Sequence, residues 1–371
     1  MTMAVYKLFA ESDAFLLSDS PTANTGKDEL LEIGGFQNNF GLGSTTRAVI
    51  KFNNTEIVNL VNNTINTGEW ISSIKLFKAY AYETPVSHSI YAYPLSSSYD
   101  NGIGKFQDFP IDTSGVTWKF RKAGNREAWA TASYAQNVTG SDVAGQRGGG
   151  TWFTGSGGVD LEAEQEFALN DSLDLNINVT NATKLFYSSS IPNNGFILKL
   201  QNDLEFNTTS SIRFFYFGKD TNSIYPPSLE FKWDDSSYDT GSLSVLNNSN
   251  AVINIKNNKG EFADVGRQRF RLLARPKYPT RTFTTSSVYL TNNALPSGSY
   301  WGLKDENTED MVVDFDNDYT KISCDSNGPF FDVYMNGLEP ERYYRLLIKT
   351  TLDGSTTVVD NDNVFKIVRN G

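Results

Sequence analysis

Histidine and cysteine set the first limit on chemistry, because the chain holds one of each, His88 and Cys324. A histidine base in a nucleophilic triad would have to be His88. No serine or cysteine nucleophile motif accompanies it, and among Ser87, Ser89 and Tyr91 it reads as a surface residue. Two ligands of this kind are too few for a Cys/His zinc site, and a single cysteine allows no disulfide within the chain. Carboxylates are more plentiful. Asp314, Asp316 and Asp318 with Asn317 spell D-x-D-N-D, a calcium-like run. An EF-hand loop needs Gly at position 6 and Glu at position 12, where this chain has Tyr319 and Asp325. Alternation through Val313 and Phe315 instead puts Asp314 and Asp316 on the wet face of a strand entering a turn. No metal, no cofactor and no dependence on redox state are expected. A carboxylate pair for glycoside hydrolysis is defined by separation in space, so spacing along the chain assigns none.

Three patterns point to binding rather than catalysis. Arg267, Arg269 and Arg271 alternate with Gln268, Phe270 and Leu272, and Arg275 follows. On a strand the three arginines share one face while Phe270 and Leu272 enter the core. That face is either solvated and neutralised by local Asp and Glu, or a docking face for an acidic subunit, since arginine forks fit carboxylates. The Gly-rich run Gly140–Gly158 has no lysine and no helix to make a phosphate loop. It reads as a connection at the end of a sandwich, or as a loop ordered against a neighbour with Trp152 and Phe153 as anchors. Tyr80, Tyr82, Tyr91 and Tyr93, with Trp129 and Tyr134 after them, are either strand-face packing or a sugar platform.

The elements that must hold these residues follow from the bulk numbers and the patterning. At 371 residues, 39% hydrophobic, the chain is long enough for two domains with real cores. A formal net charge of −11 repels phosphate, so nucleic acid is not expected as a partner. No apolar run approaches the ~18 residues that span a bilayer, and no basic segment leads into an apolar one at the start. The expectation is a protein made in a cytosol, away from membranes. Helical periodicity is confined to Thr55–Ile65, behind a Thr cap. Alternation is general: Ile50 and Phe52 against Arg47 and Lys51, Phe196, Leu198 and Leu200 against Lys199, and Leu229, Phe231 and Trp233 against Glu230, Lys232 and Asp234. These are strands with one wet face, in antiparallel sheets. The polar stretch Asp234–Ser242 suits a linker. Beyond it come strands around Phe270, Val313, Val333, Leu346 and Val364–Val368, enough for a small immunoglobulin or fibronectin-type sandwich. The fold class is all-β, with domains expected at 1–234 and 245–371.

The first half resembles the DNRLRE domain, a jelly-roll module related to carbohydrate-binding modules. Asn24-Thr25-Gly26 followed by Leu30, Leu31, Ile33 and Gly34 is similar to the opening hairpin of that family. Arg47, Ile50 and Phe52 match its "R-x-x-I-x-F" strand, and Ile74 and Leu76 its next strand, with Ser72 where a small Ala is usual. Thr117-Trp118, Val179-Thr180, Pro192 to Phe196, and Pro227-Ser228-Leu229 follow in the family's order. The likeness covers roughly residues 4 to 234. The second half, from Arg269-Phe270-Arg271 through Arg281-Thr282-Phe283-Thr284 to Leu338–Tyr344, resembles structural proteins of T4-like tailed bacteriophages. Leu338, Pro340 and Tyr344 are also similar to the "L-x-P-x-x-x-Y" turn of fibronectin-type sandwiches.

These resemblances imply a jelly-roll sandwich followed by an immunoglobulin-like sandwich. They imply a non-enzymatic virion structural protein of a tailed phage, in tail, neck or baseplate, present in multiple copies and made in the host cytoplasm. Its partners would be other virion proteins, met through Arg267, Arg269, Arg271, Trp152 and Phe153. A carbohydrate-binding or host-adhesion module taking a surface glycan is the alternative, and a polysaccharide-degrading enzyme the second. An exposed aromatic patch with convergent polar groups would favour the glycan reading. Two buried carboxylates in one cleft would favour the enzyme.

Overall fold

The computed structural model describes residues 4–37, 43–65, 68–82, 84–85, 87–107, 110, 112–129, 148–169, 171–205, 211–234, 236–280 and 291–369. The chain is all-β, with short helices inserted between strands. It divides into two compact units. One is Leu8–Asn66 with Ile71–Glu230; the other is Phe231–Gly371 with Met1–Lys7 and Thr67–Trp70.

The first unit is built on an eight-stranded sheet. Seven strands run in the order Ala163–Phe167, His88–Pro94, Phe196–Leu200, Gly43–Lys51, Leu30–Gln37, Ile212–Phe217 and Lys78–Tyr82, and Ser12–Leu17 adds to Gly43–Lys51. Neighbours pair antiparallel throughout. Leu175–Asn178 pairs antiparallel with Trp70–Leu76 in a smaller sheet. In the main sheet, Ile50 and Leu198 share one face of their paired strands, Ile33 and Phe214 share one face of theirs, and all four are buried. The other face of its central strands is buried too. Val49, Ile197, Leu16 and Tyr93 lie under Trp118, Trp129 and Trp152, which arrive on the irregular segments between strands.

That second cover overturns the expectation of wet faces. Arg47 and Lys199 share the parity of Val49 and Ile197, and both are buried. Glu205, in the single turn Asn202–Glu205, meets them there. Arg47 donates from Nε and Nη2 to its two oxygens at 2.6 and 3.1 Å, and Lys199 Nζ stands 3.1 Å away. Arg47 Nη1 donates to the Gly149 carbonyl at 2.7 Å, and its guanidinium lies 5.1 Å from the Trp118 ring and 5.3 Å from Trp152. Lys199 also donates to the Leu200 carbonyl and to Asn202 Oδ1. Buried charges persist only when paired and hydrogen-bonded in this way.

The Gly-rich run is therefore partly core. Gly149 has φ +77°, and a Cβ there would lie 2.7 Å from the Trp118 ring and 2.9 Å from Arg47 Nη1, so no side chain fits. Trp152 is buried and pairs through its backbone with Leu95, and Phe153 is half-buried with its N–H on the Pro94 carbonyl. Trp152 thus anchors the run to its own sheet. Gly140 to Arg147 lies outside the described residues. The expected helix begins one residue early, as Asn54–Leu60, and continues as a π-helical turn through Ile65. Its cap is the Asn53 side chain, which accepts from the N–H groups of Thr55 and Glu56. A second helix, Thr180–Tyr187, has no clear signal in the sequence.

The second unit is a sandwich of its own. Ala251–Ile255, Arg267–Pro276, Gly328–Tyr334 and Ser323–Asp325 form one sheet in that order. Glu261–Ala263, Ser355–Val368, Tyr343–Leu352, Tyr300–Asp305 and Met311–Val313 form the other. Trp301 stacks on Phe331 at 5.2 Å and Phe270 meets Phe365 at 5.7 Å across the interior. The Tyr344 hydroxyl accepts the Glu339 N–H at 2.9 Å and donates to the Glu339 carbonyl at 3.1 Å. That is the corner fastening found in immunoglobulin-like sandwiches. The polar stretch after Trp233 is not a free linker. Ser237, Tyr238 and Asp239 lie along Ser323–Asp325, with Cys324 N–H on the Ser237 carbonyl and Asp239 N–H on the Cys324 carbonyl.

Replacing Glu205 by Gln removes the charge that the buried Arg47 and Lys199 share. The expected loss is about 3–5 kcal/mol of stability in urea titration; a change below about 1 kcal/mol would mean that solvent reaches the triad.

Candidate functional site

The exposed aromatics of the first unit stand on its main sheet, at the edge formed by Lys78–Tyr82. Three strands supply two rows of residues. Glu32, Phe215 and Tyr80 stand opposite one another in register, and Gly34, Arg213 and Tyr82 form the adjacent row. Period-2 geometry sends all of these to one face while Ile33 and Phe214 go into the sandwich. Gly34 has no side chain, and a Cβ there would lie 2.3 Å from the Ile212 carbonyl oxygen, so the backbone of the neighbouring strand fills that position.

Arg213 is fixed on three sides. Its Nε and Nη2 donate to the Glu32 carboxylate at 2.6 and 2.9 Å, and its guanidinium lies 4.4 Å from the Phe36 ring and 5.1 Å from Phe215. Such bidentate pairs combine strength with fixed orientation. Tyr80 stacks on Phe215 at 4.2 Å, and Tyr82 meets Tyr80 edge-on at 5.7 Å and 86°. Both tyrosines remain open, at 42% and 54% exposure.

The opposite wall comes from Asp28–Leu30 and from Lys105–Gln107. Lys105 pairs with Glu29, the Phe106 N–H donates to Asp28 at 3.0 Å, and the Phe106 ring leans on Phe15 at 6.2 Å. Between the walls lies a groove of about 470 Å³, within the range of small-ligand sites. Burial, then the neighbouring Tyr82 and Glu32, hold the Tyr80 phenol above its ordinary pKa, so it stays a donor. Lys105 holds the Glu29 carboxyl below the usual range.

The structure separates the other aromatics from this pair. Tyr93 is buried and donates to Glu162 at 2.7 Å, Tyr91 stacks beside it at 6.2 Å, and Trp129 is buried with its N–H on the Thr117 carbonyl. Tyr134 lies outside the described residues. His88, read as a surface residue, is buried between the rings of Phe167 at 4.8 Å and Phe214 at 4.5 Å. Burial lowers its pKa, and neither ring nitrogen has a hydrogen-bond partner among the described residues. A sandwiched neutral imidazole of this kind is packing, not a base.

The arginine stripe is neutralised within its own sheet. Arg269 grips Asp332 at 2.9 and 3.0 Å, Arg267 stands 3.5 Å from the same carboxylate, and Arg271 grips Asp325 at 2.8 and 2.9 Å. Asp332 is the register partner of Arg269 on the neighbouring strand. Of the two sequence alternatives, the neutralised face is the geometry found. Asp316 caps a turn, accepting from the N–H groups of Asp318 and Tyr319, while Asp314 is exposed. Sequence reasoning named Tyr80 and Tyr82 but missed Glu32, Phe215 and Arg213, which reach the groove only through strand pairing across more than a hundred residues. No protein-family model and no curated protein matches the chain.

Asp13 lies behind the groove wall. Its carboxylate accepts the Lys219 N–H at 2.6 Å, and Gly218 is wedged between it and the Asp28–Glu29 backbone. Burial pushes its pKa from 3.8 up to about 7, and Asp220 adds to the rise. The folded state therefore binds more protons than the unfolded state between those values, and stability falls as pH rises through that window. Asp13→Asn keeps an acceptor for Lys219 and removes the titration. Its melting temperature should match the parent near pH 4 and exceed it increasingly up to pH 7. A parallel pair of pH profiles would show that Asp13 is not the buried acid inferred.

Proposed function

We propose that the chain is a non-enzymatic structural protein of a tailed-phage virion, and that its first unit recognises a surface glycan in the Tyr80–Tyr82 groove. The observation that carries the glycan reading is the pair of open tyrosine rings beside a rigid Arg213–Glu32 fork. Sugar rings offer C–H faces to aromatic rings and hydroxyls at their rims, and the groove offers rings and paired polar groups side by side. The virion assignment is supported by the family resemblances of the two halves. Assembly with other virion proteins, in multiple copies, belongs to the same reading.

Two features favour binding over hydrolysis. A glycosidase needs one carboxyl held protonated beside a free carboxylate. Here Glu32 is gripped through both oxygens by Arg213, and Glu29 is held ionised by Lys105. Subunit docking through Arg267, Arg269 and Arg271 has less support, since their charge is spent on Asp332 and Asp325.

The test is an oligosaccharide array probed with the intact chain, followed by calorimetry on any retained sugar. Tyr80→Ala and Tyr82→Ala should each weaken binding about tenfold, the loss expected of an aromatic anchor, with unchanged circular dichroism. Glycan binding that survives both substitutions would place the site elsewhere.

A further inference from the structure

The charges that line the groove define which sugars it admits. This step rests on the glycan reading above. Three carboxylates, Asp28, Glu29 and Glu32, face two cations, Lys105 and Arg213. Both cations are already matched, Lys105 by Glu29 and Arg213 by Glu32. Glu32 is buried, and it is held by the Thr46 hydroxyl at 3.4 Å as well as by Arg213, so it cannot swing aside to free the guanidinium. The phenols of Tyr80 and Tyr82 and the amide of Gln107 add donors and acceptors without charge.

We infer that the groove is selective for uncharged hexopyranose chains and excludes acidic ones. A uronate or sulfated sugar would bring a further negative charge beside three carboxylates, with no unmatched cation among the described lining residues to receive it. Its anion would lose hydration against the aromatic wall without a compensating partner, which disfavours binding. A neutral ring loses only hydroxyl hydration. Arg213 Nη1, which Glu32 leaves unused, gives those hydroxyls a donor, the carboxylates give acceptors, and the ring's C–H face rests on Tyr80 or Tyr82. Arg213 thus acts as a neutral fork rather than as an anion receptor, which its charge alone would suggest.

The experiment uses the intact chain and two matched panels at low ionic strength, where charge discrimination is greatest. One panel holds gluco-, galacto- and manno-configured neutral oligosaccharides; the other holds oligogalacturonate, oligomannuronate and a sulfated galactan fragment. At least one neutral chain should bind in a Tyr82-dependent manner, with every acidic chain at least about tenfold weaker. Glu29→Gln removes one negative charge beside Lys105, and should strengthen acidic binding about fivefold or more. Acidic chains that bind the parent as well as neutral ones, still through Tyr82, would overturn the selectivity and leave the groove as a glycan site. Binding of neither panel, or binding indifferent to Tyr82→Ala, would remove the glycan reading itself and this inference with it.

Discussion

Arg47, Glu205 and Lys199 form a buried charge cluster to which much of the first unit is fastened. A guanidinium inside a protein must find a donor-by-donor match, and each match here fixes a separate piece of chain. Glu205 takes Nε and Nη2, which holds the turn Asn202–Glu205 against the strand Gly43–Lys51. The Gly149 carbonyl takes Nη1, which draws the Gly148–Gly150 segment in beneath Trp118. The Glu205 carbonyl then accepts the Thr45 hydroxyl at 3.1 Å and passes so close to Gly35 that a Cβ there would lie 2.4 Å from it. Gly35 belongs to the strand that carries Glu32, so the constraint reaches the groove through consecutive hydrogen-bonded strands. An apolar triplet of equal volume would bury as well and match or exceed its stability, but it would not specify which loop and which turn arrive.

The register of the main sheet converts that anchoring into a site. Glu32 and Arg213 lie on adjacent strands, offset diagonally by one row, at the reach of a bidentate pair. Tyr80 and Tyr82 enter from the last strand of the sheet, where among the described residues no further strand covers them. A slip of one residue in either pairing would exchange Arg213 with Phe214 and send the guanidinium into the sandwich core. The buried acid Asp13 sits behind the same wall, while the rim of the groove is aromatic and open.

Alternation along the chain was enough to read the strands, the class and the presence of a second sandwich. It was not enough to read which faces are wet. Arg47 and Lys199 look like solvent-facing residues because period 2 gives two faces and says nothing of what covers each. The cover is Trp118, Trp129 and Trp152, drawn from segments with no periodicity at all. His88 was misread for the same reason, since its neighbours in sequence are polar and its neighbours in space are Phe167 and Phe214. The tyrosine pair was legible because both rings lie two residues apart on one strand. Its partners were not, because Glu32 and Arg213 are 181 residues apart and meet only through the sheet.

The same device appears twice in this acidic chain with opposite outcomes. In the second unit Arg269 grips Asp332 and lies 4.0 Å from the Phe330 ring, and Arg271 lies 5.1 Å from that ring. In the first, Arg213 grips Glu32 and lies against Phe36 and Phe215. Both are cross-strand forks stacked on phenylalanine, and both cancel their own charge. The difference is what the arginines do to the aromatic surface. Arg269 and Arg271 close over Phe330, which is left 3% exposed, so that face offers only matched charges to a partner. Arg213 lies against Phe215, and the edge strand then adds two further rings, with Tyr82 directly opposite Arg213, that stay exposed. A matched ion pair becomes part of a binding surface when the aromatic rings next to it stay uncovered, and the edge position of Lys78–Tyr82 is what keeps them so.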